Sequence, residues 1–194
     1  EFDHYRAKAE PHPMFIEHGI EAVPFAHEKM DEWRNNFKGI RHINEADGYN
    51  FGGAVDDIWQ KPNGDLIVID VKSTSKNVFD WEDTYSKWEY AKGYRRQLEM
   101  YQWLLEKNGF NVASEGYLVY YNGKKHEPMF NQQLTFDLHL VKLECDNSWV
   151  EEAVLNAKAT LDGDMPKPSK SCENCNYLRK RWEVSQKDSG KLIG

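Results

Sequence analysis

Gly53-Ala54-Val55-Asp56-Asp57-Ile58-Trp59-Gln60-Lys61-Pro62-Asn63-Gly64-Asp65-Leu66-Ile67-Val68-Ile69-Asp70-Val71-Lys72 decides the reading of this chain. Residues 51–60 and 65–74 read as two strands around a turn at Lys61–Asp65. Leu66-Ile67-Val68-Ile69 is apolar at every position, so the second strand is expected at the centre of a sheet. A two-residue turn on Asn63-Gly64 would ask Pro62 for an N–H that it lacks. A three-residue turn instead puts Pro62 first in a type I turn and Gly64 in the left-handed position. That register pairs Lys61 with Asp65 and, carried along both strands, sets Asp56 opposite Asp70. Asp57 then points to the other face. Asp70 and Lys72, two apart, share a face.

Ionised groups beside apolar strands are costly unless they are paired or bind a cation. Two facing carboxylates raise a pKa unless a cation lies between them, and such oxygen ligands suit Mg²⁺ or Mn²⁺. The alternative is a cross-strand polar pair on a solvated hairpin, with Lys72 as its counter-ion.

Outward from the hairpin, residues 1–20 read as an irregular N-terminal arm. Pro24–Phe37 reads as a helix with Met30, Trp33 and Phe37 at helical spacing and Gly39 as its stop. A short strand is expected at 40–46 and a loop at 75–84. A long helix is expected from Thr84 to Lys107, burying Trp88, Leu98, Tyr101 and Leu105. Strands are expected at 115–121 and 133–143, and a helix at Ser148–Leu161 opening on a Ser148-x-x-Glu151 capping box. The domain proper spans 21–182 and a polar tail 183–194. This order predicts an α/β fold: a mixed β-sheet flanked by helices.

Several stretches resemble the PD-(D/E)XK nuclease superfamily and, within it, the RecB-like exonuclease branch. Gly53-Ala54-Val55-Asp56 is similar to its G-x-x-D strand, and Ile69-Asp70-Val71-Lys72-Ser73-Thr74 to its (I/V)-D-x-K-T strand. Gln97-Leu98-Glu99-Met100-Tyr101 is similar to its Q-x-x-x-Y helix. His27 stands where the branch carries a histidine on the helix before the sheet, and Pro166-x₅-Cys172-x₂-Cys175-x-Tyr177 resembles the usual end of the domain. The resemblance implies a restriction-endonuclease-like fold and a metal-dependent DNA nuclease. His27, Asp56, Asp70 and the Val71 carbonyl would hold Mg²⁺ or Mn²⁺, with His18 and Glu28 as fallback ligands. Lys72 would orient or activate water and stabilise charge on phosphate. Gln97 and Tyr101, four apart on one helix face, would contact nucleotide or brace the hairpin; a purely structural role stays open for both. Trp81, Tyr85 and Trp88 border the loop after Lys72 and could stack on bases or sit in the core.

The 194 residues suffice for one core, at 40% hydrophobic and 29% charged. No apolar run is long enough to cross a membrane. Net charge is −7, which argues against coating nucleic acid over the whole surface but leaves room for a basic groove. Lys92, Arg95 and Arg96 form one helical patch, and Arg179, Lys180 and Arg181 are a second basic cluster. The first is a DNA-contact candidate, or else a solvent face balancing Glu89 and Glu99. Three cysteines suggest no disulfide framework and a reducing, cytoplasmic compartment. Some RecB-like families bind a [4Fe–4S] cluster through four cysteines. Cys172 and Cys175 fit two of those positions, the next is missing, and Cys145 reads as a buried thiol, so no iron–sulfur cluster is expected. The chain opens at Glu1 with no initiator Met or signal-peptide pattern, so a preceding segment, even one with a further cysteine, stays open. The expected activity is a deoxyribonuclease, as an exonuclease on single-stranded DNA or ends, with a helicase or recombination partner. The alternatives are a non-catalytic nucleic-acid-binding module and a structural subunit of a helicase–nuclease complex.

Overall fold

A computed structural model describes residues 1–127, 129 and 132–189. The chain falls into two compact units, Glu1–Val154 and Leu155 onward. In the first, the strands β1 (Val23–Pro24), β4 (Asp57–Gln60), β5 (Leu66–Thr74), β6 (Val112–Gly123) and β7 (Phe136–Glu144) form one sheet in the order β1-β4-β5-β6-β7. Only β5 and β6 run parallel; the other pairs are antiparallel. The expected mixed sheet flanked by helices is therefore present.

The β5 strand is central because both its faces are apolar. Leu66 and Val68 enter a core with Ile58, Leu98 and Leu105; Ile67 and Ile69 enter a second core with Phe15, Trp59 and Val119. Helix α5 (Glu89–Lys107) covers the first face, and α2 (Pro13–Glu17) covers the second. Asp70 and Lys72 follow Leu66 and Val68 in parity, so the α5 side of the sheet receives them.

The turn forms as its residues dictate. The Lys61 N–H donates to the Asp65 carbonyl at 2.9 Å, the Gly64 N–H to the Lys61 carbonyl at 2.9 Å, and Gly64 takes φ +93°. The ladder pairs Gln60 with Leu66 and Asp57 with Ile69, so its next step is Asp56 against Asp70. Asp57 faces the opposite side, where it pairs with Arg6.

Several expectations are corrected. Residues 51–60 are not one strand. Strand β3 (Tyr49–Gly53) pairs with β2 (Ile40–Asn44) in a separate hairpin, and the chain changes sheet across Ala54-Val55-Asp56, where the Val55 N–H bonds the Trp33 carbonyl at 3.1 Å. Pro24 opens no helix. It lies in β1, an edge strand that needs no proline donor, and only Met30–Trp33 is helical (α3), with Phe37 exposed. The stretch 84–107 is two helices, α4 (Trp81–Lys87) and α5. They break at Trp88, which is extended (φ −121°, ψ 119°) and 54% exposed rather than buried. Asp80 caps α4 by accepting from the Asp83 N–H at 2.9 Å, which shortens the expected loop.

The N-terminal arm is not irregular: α1 (Phe2–Arg6) and α2 are helical, and Phe15 is fully buried with its ring 4.3 Å from that of Trp59. Helix α6 (Val150–Asp162) has no Ser148–Glu151 box at its start; Ser148 turns back, its N–H donating to Asp146 Oδ1 at 3.0 Å. In the second unit α7 spans Glu173–Ser189, so the polar tail is helical as far as it is described; residues 190–194 lie outside the described residues. Among the described residues no helix is long and apolar enough to cross a membrane.

Candidate active site

Asp70 ends the fully buried run of β5 and is 1% exposed. Burial raises its pKa to about 6; the Lys72 ammonium opposes the rise, and the Asp56 carboxylate, within hydrogen-bonding reach, adds to it. The Lys72 Nζ lies 2.5 Å from Asp70 Oδ2, yet among the described residues no donor is aligned on that oxygen. The ammonium thus offsets the charge of that oxygen from close range, without a well-aligned hydrogen bond. Asp56, on the exposed turn between sheets, accepts the Val71 N–H on Oδ2 at 2.7 Å. That bond ties Asp56 to the strand bearing Asp70 and explains why the pair persists beyond the ladder.

The other wall is α5. The Lys72 Nζ donates to Gln97 Oε1 at 3.3 Å, and Gln97 Nε2 donates to the Tyr101 hydroxyl at 2.9 Å. The Lys72 Nζ also lies 4.5 Å from the centroid of the Tyr94 ring, a cation–π contact. The edge of the Tyr101 ring packs against Gly53, where a Cβ would stand 2.7 Å from Tyr101 Cε1. Gly53 is thus glycine because a ring from α5 needs the space. Burial raises the Tyr101 pKa, and the charges of Asp70 and Asp56 raise it further, which places the phenol beside both carboxylates. Asp56, Asp70, Lys72, Gln97 and Tyr101 are therefore brought together.

His27 is placed differently from its expectation. It lies on the loop before α3, not on a helix. Its Nδ1 accepts the Lys29 N–H at 3.2 Å, and its ring stacks on Trp33 at 4.4 Å. The β1–β4 pairing runs only as far as the bond between the Phe25 N–H and the Ile58 carbonyl, two residues short of His27 and of Asp56. Among the described residues no three His, Cys, Asp or Glu side chains are grouped to hold a metal ion. His18 and Glu28, the fallbacks, are exposed and join no such group.

The basic patch is internally paired. Lys92 and Arg96 contact Glu89 at 3.1 and 3.4 Å. Arg95 contacts Glu99 at 3.0 Å. Glu99 is buried and also accepts from Trp149 Nε1 and the Asp146 N–H, so Arg95 belongs to a structural network. Arg179, Lys180 and Arg181 lie on α7. Trp81 and Tyr85 are half-buried, with Trp81 against Tyr120, a core role. Cys145, Cys172 and Cys175 are free thiols. Burial pushes Cys145 up to about 12, and Cys172 Sγ accepts the Cys175 N–H at 3.4 Å.

Sequence reasoning missed Tyr94 and the burial of Glu99, which it set on a solvent face. The signal for Tyr94 was present, since it falls three residues before Gln97 and seven before Tyr101, on their helix face. Glu99 carried none: a buried acid reads like any helical Glu until its partners on other elements are known.

A family model for the PD-(D/E)XK nuclease superfamily matches residues 2–179. No curated protein matches the chain. One solved structure, described as a crystal structure of SSO0001, is 20% identical with a TM-score of 0.34, over 70% of this chain and 52% of that one. The chain thus spans about half the length of that protein, and a likeness at this level carries no argument.

Proposed function

Because the chain belongs to the PD-(D/E)XK nuclease superfamily, with a restriction-endonuclease-like fold, we propose that it is a Mg²⁺- or Mn²⁺-dependent deoxyribonuclease. The observation that carries this reading is Asp70. A buried carboxylate facing a second carboxylate, with a single lysine to offset the two charges at the end of a central strand, is unfavourable for folding alone. Asp56, Asp70 and the Val71 carbonyl would hold the ion, with His27 reaching it on rearrangement. Two carboxylates with few further protein ligands suit Mg²⁺, which keeps several waters and takes substrate phosphate oxygens. When bound, the ion supplies Lewis-acid polarisation of the scissile phosphate and acidifies water.

The chain's own groups do the rest. Lys72 presents its ammonium to the phosphate and stabilises the negative charge that develops as water's oxygen bonds to phosphorus and the ester oxygen leaves. Gln97, Tyr94 and Asp70 hold that ammonium from three sides, so little reorganisation is needed. Tyr101 fixes Gln97 and, against Gly53, fixes α5 to the turn bearing Asp56. We place the chain in the RecB-like branch on its Gln97/Tyr101 pair, acting as an exonuclease on single strands or ends in DNA repair or recombination. End-labelled single- and double-stranded DNA incubated with Mg²⁺, Mn²⁺ or EDTA tests this. Cleavage is expected with either ion and is lost in EDTA and in Asp70→Asn. Cleavage that persists in EDTA or in that variant overturns the proposal.

A further inference from the structure

The stripe of α5 that faces Lys72 extends beyond Tyr94. Tyr90, Tyr94, Gln97 and Tyr101 are spaced four, three and four residues apart, so they share one helix face. The Tyr94 and Tyr90 rings meet edge to face at 5.6 Å, and the Tyr90 and Trp88 rings lie 6.1 Å apart, tilted 31°. Tyr90 is 47% exposed and Trp88 54%. An aromatic path therefore runs from the Lys72 ammonium, over Tyr94, out to solvent. Its outer end sits where α4 stops and α5 starts, on an extended residue that neither glycine nor proline forces. Nearby, Trp81 and Tyr85 show the other fate of aromatic side chains in this segment: both are half-buried, Trp81 against Tyr120 and Tyr85 against Trp81. Trp88 and Tyr90 are not used by the core.

We propose that Trp88 and Tyr90 form a stacking subsite for unpaired bases of the strand being cut, beside the phosphate that Lys72 contacts. The inference rests on the nuclease reading and names its substrate class: single-stranded DNA. The occupant follows from continuity, because the path ends on the group that would hold the scissile phosphate. Rings take any base, since every base offers a π face, but only bases free of a duplex stack can use them. The flanking charge is mixed: Lys87 is exposed and paired with Asp83, and Glu89 holds Lys92 and Arg96. Stacking, rather than a cationic groove, is thus the chemistry this surface offers.

Fluorescence anisotropy with labelled oligothymidylate and with a labelled blunt duplex tests the subsite without relying on cleavage. Replacing both residues by Leu keeps apolar bulk but removes the π faces. It should weaken oligothymidylate binding about tenfold or more and leave duplex binding within about twofold, whereas Trp88→Phe with Tyr90→Phe should retain affinity for the oligonucleotide. Unchanged oligothymidylate binding in the Leu pair, or equal loss on both probes, overturns the subsite. If the wild type cuts DNA while the Leu pair binds normally, the subsite fails and the nuclease reading stands. If the wild type binds through these rings but never cuts, the reverse holds.

Discussion

Lys72 and Asp70 separate the chemistry of the site from its stability. Lys72 is held by Asp70, Gln97 and the Tyr94 ring, and none of these needs it for packing. Lys72→Ala should leave the fold intact and lower the cleavage rate about 100-fold or more, the usual scale for losing one electrostatic or acid–base group; a steady-state assay with near-normal activity would remove Lys72 from the mechanism. Asp70 makes a prediction in pH. Its folded pKa, about 6, lies above the ordinary 3.8, so the native state binds this proton more tightly than the unfolded chain. The associated stability is fully present below about pH 4 and is lost as pH rises through 6. The rise corresponds to about 3 kcal/mol. In EDTA, Asp70→Asn should therefore melt several degrees above the wild type at pH 8, with the gap closing toward pH 4. A variant that melts lower at pH 8 contradicts this account of the site.

At the scale of elements, the β4–β5 hairpin was readable because its turn is over-determined. Pro62 removes one register, Gly64 accepts the left-handed position, and the facing of Asp56 and Asp70 follows. The rest of the candidate site was readable only in part. The change of sheet at Ala54–Asp56 leaves no mark on strand periodicity, since it depends on the long-range bond from Val55 to Trp33. The break at Trp88 has neither glycine nor proline to announce it. Helix α5 also shows why a charge cluster is a poor guide by itself. Arg95 serves buried Glu99, whereas Arg96 shares exposed Glu89 with Lys92. Arg95→Gln should cost about 1 kcal/mol in denaturant unfolding, and Arg96→Gln nothing measurable. If Arg96 can leave Glu89 for a phosphate, its loss should reduce the slope of log K against log salt by roughly one unit, for all sequences alike. An unchanged slope assigns it to the solvated face.

Over the whole molecule, the mixed sheet could be read from the order of elements, but the N-terminal segment could not. Phe2, Met14 and Phe15 lack a clear period because their order comes from the far face of the sheet, where Phe15 meets Trp59 and Arg6 meets Asp57. That face carries the structural ionic pair, and the α5 face carries the chemical one. Asp56 and Asp70 are set against each other on the α5 face, inside a chain of net charge −7 that gains nothing from another pair of like charges unless a cation joins them. The claim that they form a divalent-metal centre is tested most directly by growing crystals with Mn²⁺ and mapping its anomalous scattering. The account predicts a peak touching both carboxylates and the Val71 carbonyl, absent in Asp70→Asn crystals. Manganese bound elsewhere, with the two carboxylates turned apart and without metal, would contradict it.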